Sequence, residues 1–378
     1  MNERMPTVLF LDQYGAIGGG QRILLDLVGA TVARGWRVRV LCPSGSLFDA
    51  CRHAGADVHA LLLPPMKDGP KSTWSLLRVW HASRRIAHEQ EHLARESDVI
   101  VVNGPRTLAI ARVWVIRLRK PALLYLHGVY GRVENMFIRS FLALPRTAAV
   151  APSPLVAAPF FRLKNVQVIS NWVSREFLEA SANPARLRQM LGMTDTHPIV
   201  LVPGRFSPNK GQRLALEASK LLSDIPCHFV FAGAPLFEGQ GREVEARLRE
   251  ASDHAPLRIH VLEWKQPMPA LYDGADVVMV PSVWEEPFGL TALEAMARGR
   301  PLIVTNRGTL PTLTDHGRCA QVVSADAQAI AAALRSFIAD RPEWEDRAQQ
   351  ARRHVEEHFH PQKLQAEVLA VCESLLRS

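Results

Sequence analysis

Apolar residues in this chain fall into short continuous runs, separated by longer segments in which they recur every three or four positions. TVLFLD at 7–12 is apolar almost throughout, and RVRVLCP at 37–43 alternates until a proline stops it. Between them, GGGQRILLDLVGATVARG at 18–35 has helical spacing, opens on glycines and closes on Gly35. The pattern continues with a short helix at 45–55, a strand at 57–63 and a long helix at 74–96. Short strands follow at 97–104, 122–128, 148–153 and 165–170. Apolar strands alternating with helices predict a parallel sheet covered on both faces.

The alternation then starts again. Strands are expected at 197–205, 227–233, 258–264, 276–282 and 300–306. Helices are expected at 212–222, 242–252, 268–275, from about 290, and at 326–340 and 342–359. The fold class is therefore α/β, with two units in series joined near 171–187: a first domain over 1–170 and a second over 171–359. The amphipathic segment 360–378 has no sheet of its own and either closes the second unit or crosses back to the first. No repeat of the length used by solenoids is visible.

At 378 residues and 47% hydrophobic, the chain can bury two cores of ordinary size. No apolar run approaches the roughly 18 residues of a membrane span, and the start, MNERMPTVLFLD, runs into a strand rather than a signal segment. Five scattered cysteines without a CxxC argue for reduced thiols and a cytoplasmic setting, against disulfides and against a zinc site. Charge changes the picture more. Residues 1–170 hold 22 Lys/Arg against 11 Asp/Glu, and the remainder 23 against 26. A basic first half is expected to face an anionic partner, with a membrane surface, a lipid phosphate and a nucleic acid as the candidates. No nucleic-acid motif is present, so none is expected as partner. Helix 74–96, with Trp74, Leu77, Trp80 and Ile86 among Arg78, Arg84 and Arg85, and the segment FIRSFLALPR at 137–146 could lie on such a membrane; core packing is the plainer reading of each.

Ligands of open parallel sheets bind at the carboxyl ends of strands, so the loops there matter most. DQYGAIGGGQR at 12–22 is a glycine-rich strand-to-helix turn. It lacks G-x-G-x-x-G, and the next strand ends in Leu41-Cys42-Pro43 with no acid for a ribose, which disfavours a nicotinamide or flavin dinucleotide. An anion at the helix mouth remains compatible. VPGRFSPNKG at 202–211 offers Gly204 with Arg205 and Lys210, two cations able to clamp a diphosphate, although the Walker A spacing is missing. VWEEPFGLTALEAMARG at 283–299 sets Glu286 before a glycine and Glu294 inside the helix that follows. Carboxylates accept hydrogen bonds from diols, and a helix start favours phosphate, so the stretch suits a nucleotide sugar.

These last motifs resemble the retaining glycosyltransferases of family 4, also called glycosyl transferases group 1. Glu286 to Glu294 matches the family's E-x7-E region, GR-x4-KG at 204–211 its diphosphate loop, and GGGQ its first glycine loop. ISNWVSREF at 169–177 is similar to its interdomain segment, with Trp172 in place of a glycine and Ser174 in place of an aspartate. The resemblance implies a GT-B architecture: two Rossmann-like parallel-sheet domains facing across a cleft, the first binding acceptor and the second the donor. It implies that Arg205 and Lys210 neutralise the leaving diphosphate and that Glu286 bonds sugar hydroxyls. Phe288, Gly289, Leu290 and Thr291 would contact sugar and phosphate, and Glu294 the ribose. Gly18 and Gly19 would approach the diphosphate, and His127 would lie near the transferred sugar. Glu263 and Trp264 fall where the base is read. The resemblance implies transfer of a sugar from a nucleoside diphosphate to a glycan or lipid-linked acceptor. No residue selects the sugar, with mannose a mild preference, and bacterial cell-surface polysaccharide synthesis is the context expected from the resemblance and the charge asymmetry. No metal or cofactor is expected, since a D-x-D motif is absent. An epimerase on the same fold and a non-catalytic sugar-nucleotide or membrane adaptor are the competing readings.

Overall fold

The computed structural model describes residues 5–63, 73–236, 239–255, 258–263 and 268–377, and leaves aside the side chains of 73–80. The chain divides into two compact units, residues 1–170 with 362–378, and residues 171–361.

The first unit is built on a seven-stranded, all-parallel sheet in the order β3-β2-β1-β4-β5-β6-β7. Its strands are β1 (Thr7–Asp12), β2 (Arg37–Cys42), β3 (Asp57–Ala60), β4 (Val99–Asn103), β5 (Ala122–Tyr125), β6 (Thr147–Ala151) and β7 (Val166–Val168). β1, β4, β5 and β6 are buried along their whole length, as central strands under two helical layers must be. The strand order reverses between β1 and β4, where Asp12 pairs in register with Asn103. The helix Gly19–Ala33 buries Ile23, Leu24, Leu27, Val28 and Thr31. It stops at Gly35, whose φ of +82° lets the Trp36 N–H turn back to the Thr31 carbonyl at 3.3 Å.

The second unit carries a six-stranded parallel sheet in the order β10-β9-β8-β11-β12-β13. Its strands are β8 (Ile199–Pro203), β9 (His228–Ala232), β10 (Ile259–Leu262), β11 (Val277–Val280), β12 (Leu302–Thr305) and β13 (Gln321–Val323). The reversal here lies between β8 and β11. The segment 171–183 is tied to this unit by the buried Arg298, which pairs with Asp273 at 2.8 Å and donates to the carbonyls of Phe177 and Ala180. Trp172, the departure from the family's glycine, is fully buried.

Several elements differ from the sequence reading. A helix at Leu108–Leu118 fills the β4–β5 connection, with Trp114 buried and its indole donating to the Ala87 carbonyl. The expected helix 74–96 is two helices, Thr73–Glu89 and Glu91–Arg95, separated at Gln90. The hydrophobic pattern does not predict β13 or the short helix Leu310–Leu313 either. The terminal helix, Pro361–Arg377, takes the second of its two routes. It groups with the first unit, where Arg34 pairs with Glu373 and Arg146 donates to the Leu375 carbonyl. Among the described residues no helix is long and apolar enough to cross a membrane.

Candidate active site

Each unit gathers polar side chains at the strand ends flanking its point of reversal. In the second unit the centre is Glu286. β11 ends at Val280, and the loop to the helix Leu290–Ala297 folds Glu286 inward until it is buried. Lys210 Nζ donates to both carboxylate oxygens, at 2.8 and 2.9 Å, while Ser282 Oγ (2.8 Å) and Trp284 Nε1 (3.3 Å) donate to Oε2. Burial pushes this carboxyl up, but the Lys210 charge and these donors outweigh it and hold it below the usual carboxylate range. Glu286 is therefore ionised at neutral pH, and Oε1 retains lone-pair capacity for a further donor.

Local backbone geometry explains why the pair forms. Lys210 ends a turn of 3-10 helix, Pro208–Lys210, and Gly211 follows at φ +71°. A Cβ on Gly211 would stand 1.8 Å from the Pro281 carbonyl oxygen, so only glycine lets the two loops meet. The Val283 N–H donates to the Asn209 carbonyl at 3.0 Å and completes the contact. On the far side, Gly308 packs on the Glu286 backbone, and Thr309 N–H donates to the Glu286 carbonyl at 2.9 Å.

The helix Leu290–Ala297 starts from Gly289, at φ +105°, with no side chain capping its first turn and no acid within it. Such a start favours an anion. Gly204 lies beside it: a Cβ there would meet only the Thr291 methyl, at 4.0 Å, so the space above this glycine is open. Glu294 is buried one turn into the helix and accepts from Tyr272 Oη at 2.6 Å. Arg205 is half-buried, and its carbonyl accepts from Gln212 Nε2 at 2.9 Å.

Of the expected donor residues, Gly204, Lys210, Glu286, Gly289, Leu290, Thr291 and Glu294 thus lie on the facing loops and helix of β8 and β11. The Phe288 ring is directed elsewhere, into the unit's interior, edge-on to Phe359 with ring centres 6.1 Å apart. Glu263 is exposed after the edge strand β10, 3.9 Å from Arg249. Trp264 lies outside the described residues.

In the first unit, β1, β4 and β5 end in a chain of hydrogen bonds. Asp12 accepts from Asn103 Nδ2 (2.6 Å), Gln21 Nε2 (3.1 Å) and the Tyr14 N–H (2.7 Å). Asn103 Oδ1 lies 2.5 Å from His127 Nε2, and an amide oxygen only accepts, so Nε2 carries the proton. The His127 ring stacks on Tyr125 at 4.6 Å, with Gly20 against its face, and the His127 backbone N–H donates to Tyr130 Oη. Burial pushes the imidazolium down to about 4 and the Asp12 carboxyl up to about 6. His127 is consequently neutral at pH 7. Gly18 is buried at the helix start and Gly19 exposed within the first turn.

Sequence reasoning did not assign Asp12, Gln21, Asn103, Gly20, Ser282, Trp284 or Tyr272. Asn103 carries no signal beyond its place in the expected strand 97–104, whereas Asp12 closes an otherwise apolar strand. On the Arg132–Leu142 helix, Ile138, Phe141 and Leu142 face the core, whereas Val133 and Met136 are exposed. Ile86 of the earlier helix is buried, and the side chains of Trp74, Leu77, Arg78 and Trp80 lie outside the description.

The family model for glycosyl transferases group 1 matches residues 185–354, and that for glycosyltransferase family 4 matches residues 17–177. The chain belongs to the group 1 glycosyltransferases. Among curated relatives, a D-inositol 3-phosphate glycosyltransferase of Corynebacterium urealyticum is 31% identical over 163 residues, 40% of this chain and 38% of its own length. The chain thus spans less than half of that relative. A lipopolysaccharide 1,2-N-acetylglucosaminetransferase of Salmonella typhimurium is 27% identical over 318 residues, covering 76% of this chain and 80% of the relative. Among solved structures, Anabaena Alr3699/HepE in complex with UDP and glucose superposes with a TM-score of 0.83 at 21% identity. That match covers 98% of this chain and 100% of the other, and establishes a shared GT-B fold.

Proposed function

We propose that this chain is a retaining, metal-independent glycosyltransferase. It takes a sugar from a nucleoside diphosphate and passes it to a glycan or lipid-linked acceptor in bacterial cell-surface polysaccharide synthesis. The observation that carries the reading is the Lys210–Glu286 pair at the reversal point of the second sheet, beside an uncapped helix start and the open face of Gly204. Lys210 and Arg205 supply positive charge for the leaving diphosphate, and the first N–H groups of the helix add theirs. Glu286 holds Lys210 in place and offers Oε1 to a sugar hydroxyl. Glu294 takes the ribose diol.

No carboxylate is assigned as a nucleophile, so transfer is read as front-face substitution. The bond from the anomeric carbon to the diphosphate oxygen breaks, and the acceptor oxygen bonds to the same face. The departing phosphate takes the acceptor's proton. The protein positions the reactants and stabilises the charge that develops on phosphate. Neutral His127 offers a hydrogen bond to the transferred sugar without adding charge. A mannosyl donor is the first to test, followed by N-acetylglucosaminyl and glucosyl, the sugars that the Salmonella and Anabaena proteins bring to mind. The basic first unit, with exposed Val129, Val133 and Met136 near Arg132 and Arg139, supports peripheral binding to an anionic leaflet on the cytoplasmic side.

The test is turnover of a panel of UDP-, GDP- and ADP-sugars, followed by NMR of the released or transferred sugar. One donor is expected to be consumed with its anomeric configuration kept, and Lys210→Ala to slow this by about 100-fold or more. Inversion would refute retention, and undiminished turnover in Lys210→Ala would remove the proposed centre.

A further inference from the structure

The opposite end of the second sheet carries a second group of functional side chains that the donor site does not use. Asp195 and His197 belong to the segment entering β8, His228 is the first residue of β9, and His260 is the second residue of β10. β9 runs five residues from His228 to Ala232, so the group lies about 16 Å along the strands from the loops that hold Lys210 and Glu286. Asp195 Oδ1 and Oδ2 lie 3.0 and 3.1 Å from His228 Nε2, and His197 Nδ1 lies 3.5 Å from Asp195 Oδ1. One ligand atom from each of the three residues falls within 4.8 Å of the other two.

We propose that Asp195, His197 and His228 bind a divalent transition-metal ion of the zinc class. Two imidazole nitrogens and a carboxylate oxygen are the ligand set such an ion takes, with bonds of about 2.0–2.2 Å that bring ligand atoms slightly over 3 Å apart. The Asp195–His228 and His197–Asp195 spacings already suit such an ion, and the third pair, which lies within 4.8 Å, closes onto it by turning the exposed His197 ring. Asp195 and His197 are exposed and His228 is buried, so the ion sits at the surface with a coordination position open to water.

Two further features support the site. His228 Nδ1 lies 3.2 Å from His260 Nε2. With a metal on Nε2, Nδ1 carries the proton and donates it to His260, the second partner that fixes a metal-bound imidazole. The Asp195–His197 backbone is also held in advance. Arg188 donates to the carbonyls of Asp195 (3.1 Å) and His197 (2.7 Å), and the His197 N–H donates to Asp195 Oδ1 (2.9 Å). The Arg188 guanidinium stands 4.0 Å from the same carboxylate oxygen, which moderates affinity for a cation. A bound ion would clamp the entry to β8 onto β9 and β10. The site is structural in kind and remote from glycosyl transfer. Cysteine spacing gives no sign of it, because its ligands are split between 195–197 and 228.

The test uses the full chain without a polyhistidine tag, stripped with EDTA and titrated with Co²⁺ and then Zn²⁺ near neutral pH. The expected result is one equivalent of Co²⁺ with visible d–d absorption, displaced by Zn²⁺, and a melting temperature raised by Zn²⁺. His197→Ala and Asp195→Asn change exposed residues; each is expected to melt like the parent in EDTA and to lose the absorption. His260→Phe is expected to weaken binding about ten-fold. His354→Ala, which removes one ring of the stacked His354–His358 pair elsewhere in the unit, is expected to leave the signal unchanged. No stoichiometric binding, binding that survives both ligand substitutions, or loss in His354→Ala instead would overturn the proposal.

Discussion

Glu286 and Lys210 make a buried ion pair whose partners are very unequal in what they leave behind. Removing the cation strands a carboxylate among Ser282, Trp284 and apolar neighbours. Lys210→Met is therefore expected to cost about 3 kcal/mol, while the double variant Lys210→Met/Glu286→Gln recovers most of that loss. Denaturant unfolding of the two variants checks this, and equal losses would contradict it. The parent's extra stability from Glu286 is present above the ordinary carboxyl range and is lost as pH falls through the depressed folded value. In the first unit, Asp12 and His127 pull in opposite directions. Asp12 titrates near 6 when folded against 3.8 unfolded, so the native state holds the extra proton and stability falls as pH rises across that window. His127 titrates near 4 when folded against 6.5, so the unfolded state holds the extra proton and stability rises with pH. The effect is on the order of 3 kcal/mol for Asp12 and smaller for the half-buried His127. Calorimetry from pH 4 to 7 should find Asp12→Asn with stability that climbs with pH and His127→Gln with stability that declines. Parallel slopes in the two variants would contradict the assignment.

Among elements, the turns decide the site more than the helices do. Gly211 at φ +71° packs against the Pro281 carbonyl, and Lys210 precedes it. Gly211→Ala combines left-handed strain with that clash, so a loss of more than about 2 kcal/mol is expected, together with a donor-turnover defect like that of Lys210→Ala. Near-parental stability and turnover would show that the loops meet in some other way. The same contrast explains what the sequence could reveal. β1, β4, β8 and β11 were legible because strands buried on both faces read as unbroken apolar runs. Lys210, Glu286 and Glu294 were legible because their spacing around glycines is carried within short segments. Ser282, Trp284, Tyr272 and the Asp12–Asn103–His127 chain were not, because those partners meet only through sheet register and loop contact. The helix Leu108–Leu118 gives no clear sequence signal because its Ile, Val and Trp content mixes strand and helix preferences.

At the scale of the molecule, the last helix belongs to the first unit, although its sequence adjoins the second. It buries Leu364, Val368, Leu369, Val371, Cys372 and Leu375. Even at about 1.5 kcal/mol for each large apolar side chain, that burial rivals the stability of a whole domain. Deleting residues 361–378 should thus unfold the first unit and spare the second, seen as a protease-resistant fragment starting near residue 171; loss of the second unit with the first kept would contradict this division. The central claim concerns the second unit alone, and ligand-dependent melting tests it most directly. UDP, GDP, ADP and NAD are each added to the purified chain, to Glu294→Ala and to Arg205→Ala. The account predicts a raised melting temperature with one nucleoside diphosphate, and its loss in both variants. No shift with any nucleoside diphosphate, or a shift with NAD alone, would contradict it.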